Sequence, residues 1–331
     1  MVTIKDVARI ARVSVATVSR VLNDSELVRG NTRERVRQAA LELGYSPHGA
    51  ARSLITNRTH TLGVLLPDIY GEFFSEVIRG IDQAAQREGY HLLVSSARDD
   101  LESALRSMRG RVDGLIVMSP ALDAGASRRS LPERFPVVLL NCPPSDAAYD
   151  SLGIANFEGA HAMVRHLAGL GHRRIAIIRG AEKNFDAAER LRGYRAAVKQ
   201  LGLDASPGLE LPGDFSEAAG HAAARTIVES GLHPTAVFAA NDGMAIGALS
   251  AFREAGQLVP VNIAVTGFDD IPMARYVEPA LTSVHVDISA LGERATAWLL
   301  DALGEPSVRH LRRETLPTTL VVRRSCGARS Q

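Results

Sequence analysis

The sequence predicts two unlike parts: a small all-α helix-turn-helix head, and an α/β core of two lobes built from parallel sheets covered by helices. Three observations predict this. The first 23 residues hold two short helical patterns separated by a tight break. Charge is unevenly divided: residues 1–59 carry ten Lys/Arg against five Asp/Glu, a net of +5, while the other 272 carry 28 against 32, a net of −4. From Thr61 onward, continuous apolar runs alternate with amphipathic stretches, the texture of parallel strands buried on both faces.

In the head, Thr3 with Asp6 three residues later is a capping-box pattern that opens TIKDVARIA. Arg12 falls in the turn that follows, where positive φ is expected and an Arg would cost on the order of 1 kcal/mol. Ser14 is a good N-cap for the next helix. Val18, Val21 and Leu22 then recur at helical spacing and can pack on Ile4, Val7 and Ala8. Val15, Ala16, Ser19 and Arg20 are left facing outward near the helix start. Such a helix fits the DNA major groove, where Arg20 can take guanine O6 and N7 and the small apolar residues can meet thymine methyls. A packed helical pair with a solvated Arg is the alternative that this stretch alone leaves open. Asn31 with Glu34 predicts the start of a third helix, with Val36, Ala39, Ala40 and Leu43 inward and Gly44 ending it. Arg33, Arg35 and Arg37 cannot share one face, and read as solvated or phosphate-facing. The segment SPHGAARSL, ending at Leu54, is too short to hold as an isolated helix and reads as a linker that folds when braced.

In the core, strand-like runs fall at 62–67, 91–96, 113–119, 136–141, 174–180, 235–242 and 263–270, with helices Phe73–Glu88, Glu158–Leu170, Ala187–Leu201 and Gly243–Ala255 among them. Seven or more such strands suit two lobes, and a cleft between lobes is the natural pocket. Several function classes find no support. No P-loop, no GxGxxG after a strand, no HExxH, no GxSxG and no zinc-spaced Cys/His cluster occurs. Cys142 and Cys326 are far apart and read as free thiols in a reducing compartment. His172, before a strand, reads as structural. No signal-peptide pattern and no long apolar run is present, which predicts a cytoplasmic protein with no membrane partner.

The segments TIKDVAR, VSVATVSRVLN, TRERV, LGYSPHGAARSL and THTLGVLLPD together resemble the head of the lactose/galactose-repressor (LacI/GalR) family of bacterial transcriptional regulators, in family order and spacing. Further on, LGHRRIAII, ERLRGYRAA, NDGMAIGAL, NIAVTGFDDI, ALTSVHVDISALG and LPTTLVVRRS extend the resemblance over essentially the whole chain. The resemblance implies a periplasmic-binding-protein-like core joined by three crossovers. It implies domains at 1–46 (DNA-binding head), 47–58 (hinge helix) and 59–331 (effector-binding and dimerisation core). The first lobe would span about 59–155 and 286–317, and the second about 156–285 and 318–331. It also implies a non-enzymatic repressor that binds a palindromic double-stranded operator as a homodimer, under the control of a small-molecule effector and with no cofactor or metal.

Candidate DNA contacts are Thr3, Ser14, Val15, Ala16, Thr17, Ser19, Arg20, Asn23, Arg52 and Leu54, and the resemblance implies that the last wedges into the minor groove. It also implies candidate effector contacts at Phe73, Phe74, Asn141, Arg190, Phe215, Asn241 and Asp269. One of Phe73 and Phe74 is expected in the core, and one of Asp269 and Asp270 is expected to turn away from the cleft. Arg190 could alternatively be a lobe-closing salt bridge. Two departures from the family pattern are visible: Ala155 stands where Asp is common, and the segment 97–114 is short. The effector class is left as a sugar, a sugar phosphate or a purine-like molecule. Two alternatives stand beside this reading, a plain solute-binding protein and a two-lobed enzyme.

Overall fold

The computed structural model describes residues 2–22, 27–45, 58–96, 101–119, 135–143, 149–304 and 311–328. The chain divides into two compact units, 1–59 and 60–331.

The first unit is three helices around one small apolar core: α1 (Ile4–Ile10), α2 (Val15–Leu22) and α3 (Gly30–Glu42). Asp6 Oδ2 accepts from both the Thr3 amide (3.0 Å) and the Thr3 hydroxyl (2.8 Å), which secures the first turn of α1. Ser14 Oγ accepts from the Thr17 amide at 3.1 Å and so caps α2. Between the two helices Arg12 adopts φ 53°, the left-handed turn conformation that the spacing demanded. Val7, Val18, Val21, Val36, Ala39 and Ala40 close the core. The start of α3 differs from the sequence expectation. The cap is Arg29, and Asn31 lies inside the first turn. Val28 packs into the head core just ahead of it and fixes where the chain turns.

The second unit contains two six-stranded sheets. The first has β1 (Thr61–Leu66), β2 (His91–Ser96), β3 (Gly114–Met118), β4 (Val137–Leu140), β5 (Asp150–Ile154) and β11 (Arg313–Leu316), in the order β11-β5-β4-β3-β1-β2. The second has β6 (Ile175–Ile178), β7 (Glu210–Leu211), β8 (Ala236–Ala239), β9 (Ala264–Asp269), β10 (Thr282–His285) and β12 (Thr319–Val321), in the order β12-β10-β9-β8-β6-β7. All pairings are parallel except β10 with β12. The central strands β3, β4, β6, β8 and β9 are buried throughout, as strands covered on both faces must be.

Helices α4 (Glu72–Arg87), α5 (Leu101–Met108) and α10 (Ile288–Gly304) pack with the first sheet, and α6 (Asn156–Gly169), α7 (Phe185–Gln200), α8 (Glu217–Glu229) and α9 (Asp242–Glu254) pack with the second. The chain passes between lobes three times: from β5 into α6, from β10 into α10, and from β11 to β12. Within the short segment 97–114, residues 101–108 form the eight-residue α5, which packs against β2. Among the described residues, no helix is long and apolar enough to cross a membrane.

Candidate functional site

A cavity of about 410 Å³ lies between the two lobes of the core. From the first lobe it is lined by the loop after β1 and the first turn of α4, including Glu72, Phe73 and Phe74. From the second it takes the first turns of α7, α8 and α9 and the end of β9. This is the region beyond the strand carboxyl ends where parallel sheets put ligands.

Arg190 is the centre of the polar lining. It sits one helical turn after Asp186 on α7 and is 3% exposed. Its Nε donates to Asn156 Oδ1 (2.8 Å), its Nη1 to the Ala240 carbonyl (2.5 Å), and its Nη2 meets Asp269 Oδ1 at 3.0 Å. The guanidinium lies over the Phe268 ring at 3.7 Å from the centroid and stands 5.9 Å from that of Phe215. Arg190 and Asp269 belong to the same lobe, so their ion pair does not close the lobes. An exposed bond at the cleft rim does join them: the Met273 amide donates to Glu72 Oε2 at 2.9 Å.

Asp186 completes the network. Its Oδ1 accepts from Asn156 Nδ2 at 2.8 Å, and Asn141 bears on it from the first lobe. Burial pushes the carboxyls of Asp186 and Asp269 up to about 6 each, against the opposing pull of Arg190. Asp242, fully buried at the start of α9, is pushed well above the ordinary carboxylate range by burial. It accepts from Ser283 Oγ (2.6 Å) and the Ile271 amide (2.9 Å), which ties α9 to the loop after β9.

A pH dependence follows. A carboxyl raised from 3.8 unfolded to about 6 folded holds extra protons in the folded state. Its stabilising contribution is complete below about pH 4 and is lost as the pH rises through 6. Asp186→Asn removes that dependence. Relative to the wild type, the variant therefore gains on the order of 2–3 kcal/mol between pH 4.5 and 7.5. Urea unfolding of the core at both pH values reads this directly, and parallel shifts at the two would contradict it.

The sequence-predicted residues divide as follows. Phe73, Phe74, Arg190, Phe215, Asn241 and Asp269 all line the cavity. Asn141 does not line it; it is buried at the end of β4, beside Asp186. Phe73 and Phe74 are not divided between core and cleft: both are half-buried, both pack against the core as well as lining the cavity, and they meet edge to face at 5.5 Å. Asp269 faces Arg190, while Asp270 turns away to Arg323 (2.7 Å) and His285 (3.1 Å). Asn241 is held at both ends, donating to the Phe215 carbonyl and accepting from the Met244 amide. His172 bonds Thr235 Oγ1 at 3.0 Å, away from the cavity.

Asn141, Phe215, Asp269 and Asp270 all have positive φ, at 45°, 76°, 103° and 54°. Strained backbone of this kind persists where the surrounding packing over-determines it, and it gathers at functional sites. At Phe215 the reason is visible: its ring occupies the space that a side chain on Gly180 would fill. Sequence reasoning missed Asp186, Asn156, Glu72 and Asp242. The i, i+4 spacing of Asp186 and Arg190 was the available signal for the first of these.

On the head, Val15, Ala16 and Arg20 are exposed along one side of α2, Ser19 and Thr17 are half-buried, and Thr3 and Ser14 are exposed at the caps. Asn23, Arg52 and Leu54 lie outside the described residues.

Residues 3–48 match the family of bacterial regulatory proteins of the lacI family, and residues 164–326 match the periplasmic binding protein-like domain. The ribose operon repressor of Escherichia coli K12 is 36% identical over 324 residues, covering 96% of this chain and 98% of that one. The chain belongs to the LacI family. Another LacI-family relative, the transcriptional repressor PurR of Klebsiella pneumoniae, is 38% identical over 309 residues, covering 92% and 91%. Among solved structures, the Lac repressor dimer bound to operator and the anti-inducer ONPF superposes with a TM-score of 0.88 at 30% identity, covering 99% of each chain. A LacI-family regulator from Enterococcus faecium with bound ribose gives 0.73 at 28% identity, covering 80% of this chain and 98% of that one. The chain is thus a DNA-binding transcriptional regulator with a LacI-type head and a small-molecule-binding core, and its relatives are repressors rather than enzymes.

Proposed function

We propose that this LacI-family chain is a cytoplasmic repressor that binds a palindromic operator as a homodimer and releases or tightens it when a small, hydroxyl-rich ring enters the cleft. One observation carries the effector reading. A cavity of sugar size brings together aromatic faces (Phe73, Phe74 and Phe215), a buried Arg190–Asp269 pair and the buried Asp186 carboxyl. Aromatic faces suit the apolar side of a ring, and carboxylates accept from its hydroxyls. The ribose named for two of the relatives has this chemistry.

The head reads the operator through α2, with Arg20 as the polar reader and Val15 and Ala16 as apolar contacts. Residues 47–58, where Arg52 and Leu54 fall, are the proposed hinge. Arg20→Ala is expected to cost about 1–3 kcal/mol on the specific site and little on random duplex. Anisotropy titrations on both DNAs measure this, and equal losses would remove Arg20 from the role.

The effector reading is tested by a melting-temperature screen against sugars, sugar phosphates, purines and nucleosides. A ligand at about 100 times its Kd adds roughly 2.7 kcal/mol to core stability. Repeating a positive result with operator DNA gives the sign of the coupling, which is reciprocal between the two ligands. If nothing in the panel shifts the melt, the effector reading fails.

A further inference from the structure

We propose that Asp186 makes the cleft reject anions, so that the effector is an uncharged or cationic, donor-rich molecule and its phosphorylated form is excluded. This deepens the effector reading above and rests on it.

The lining is acceptor-rich and negative. Asp68, Glu72, Asp186, Asp214, Glu217 and Asp269 line the cavity, against Arg190 as the one cationic side chain among the described residues there. That cation is already engaged. Each of its three nitrogens faces a protein acceptor, at Asn156, Ala240 and Asp269. Asn241 likewise has one of its two N–H donors and its carbonyl oxygen committed. A phosphate brings only acceptors and negative charge, and would find no unspent cation in this lining. Hydroxyls or an ammonium bring donors.

Asp269 points the same way: its Oδ1 is buried, the residue lines the cavity, and it meets Arg190 but no other donor among the described residues, which leaves it open to a donor from a ligand.

Among the six carboxylates, Asp186 and Asp269 are the two that are buried, and only Asp269 is paired directly with Arg190. Asp68 accepts from the Ile69 and Tyr70 amides, and Asp214 from the amide and hydroxyl of Ser216. Glu72 takes the Met273 amide, and Asp269 takes Arg190. Asp186 lies deep, one turn before Arg190, held by the neutral amides of Asn156 and Asn141, and burial pushes its carboxyl up to about 6. In a low-dielectric site a like charge beside it is strongly disfavoured.

The test is a set of thermal-shift and calorimetric titrations of the full chain with matched pairs: D-ribose and D-ribose 5-phosphate, D-fructose and D-fructose 6-phosphate, adenosine and AMP. The stabilising member of any pair should be the unphosphorylated one, with its phosphate about 100-fold weaker. Asp186→Asn should narrow that ratio about tenfold, and Asn184→Asp, which adds a carboxylate to the lining while keeping the helix cap, should widen it. The two variants move the ratio in opposite directions, so the second keeps the test alive if the first does not fold, as judged by circular dichroism. A phosphorylated member binding the wild type as tightly as its parent would overturn the proposal, as would a ratio unchanged in both variants. A panel in which neither member of any pair binds defeats the effector reading itself, and the charge filter with it.

Discussion

Replacing Arg190 with Met should cost the core about 3–5 kcal/mol of unfolding free energy at pH 7.5, because one partner of a buried ion pair is removed and the other stays. Asp269 would lose its one ion-pair partner among the described residues, and Asn156 Oδ1 and the Ala240 carbonyl would lose their donors. Asp186 would lose the positive charge that offsets its burial. Met keeps much of the apolar packing over Phe268, so most of the loss is electrostatic. The deficit should shrink at pH 5, since Asp186 and Asp269, both raised to about 6, then protonate and no longer need the cation. Urea titrations at the two pH values measure it. An equal loss at both would mean that Arg190 contributes through packing alone. Lys in its place should recover little, since a point charge cannot meet three acceptors set around a planar fork.

The second large effect concerns backbone contact. Helices α8 and α9 approach so closely that a methyl group on Gly247 would overlap the Glu217 carbonyl, and one on Gly220 would overlap the Met244 carbonyl. Gly247→Val should therefore force the helices apart and cost about 3 kcal/mol or more. Both helix N-termini line the cleft, so effector affinity should fall with stability. Gly169, on α6, has open space around it, and Gly169→Ala should instead gain about 0.5–1 kcal/mol. Thermal melts of the two variants compare the effects, and a neutral Gly247→Val would show that the pair can slide without loss.

Much of this was legible in the sequence, and the limits have physical causes. The buried strands β3, β4, β6, β8 and β9 announced themselves as continuous apolar runs. Strand β5, reading DSLGI, and β11, reading RETL, did not, because strands toward a sheet edge alternate or are polar and carry no such run. Arg190 could be found from its motif. Apart from its i, i+4 spacing to Arg190, Asp186 reads as an ordinary acidic residue in a first helical turn, where it also suits the helix dipole. Only the backbone decides between Asp269 and Asp270: both have positive φ, and the twist between them sends one carboxylate to Arg190 and the other to Arg323.

The three passages between lobes also set the order in which a ribosome can deliver a finished protein. Strand β11 pairs with β5, and Arg312 reaches back to Asp150, 162 residues earlier, through its amide at 2.8 Å. Helix α10, whose fully buried Leu299 packs near Gly114 of β3, also arrives only after five of the six strands of the second lobe have been made. The first lobe therefore leaves the exit tunnel with an open sheet edge and an uncovered apolar face, and must wait for the rest of the chain to cover them. Contacts so distant in sequence slow folding and prolong the exposure of sticky surface. Neither lobe is a self-sufficient piece, and a chain truncated at the first passage would be a client for chaperones rather than a stable fragment.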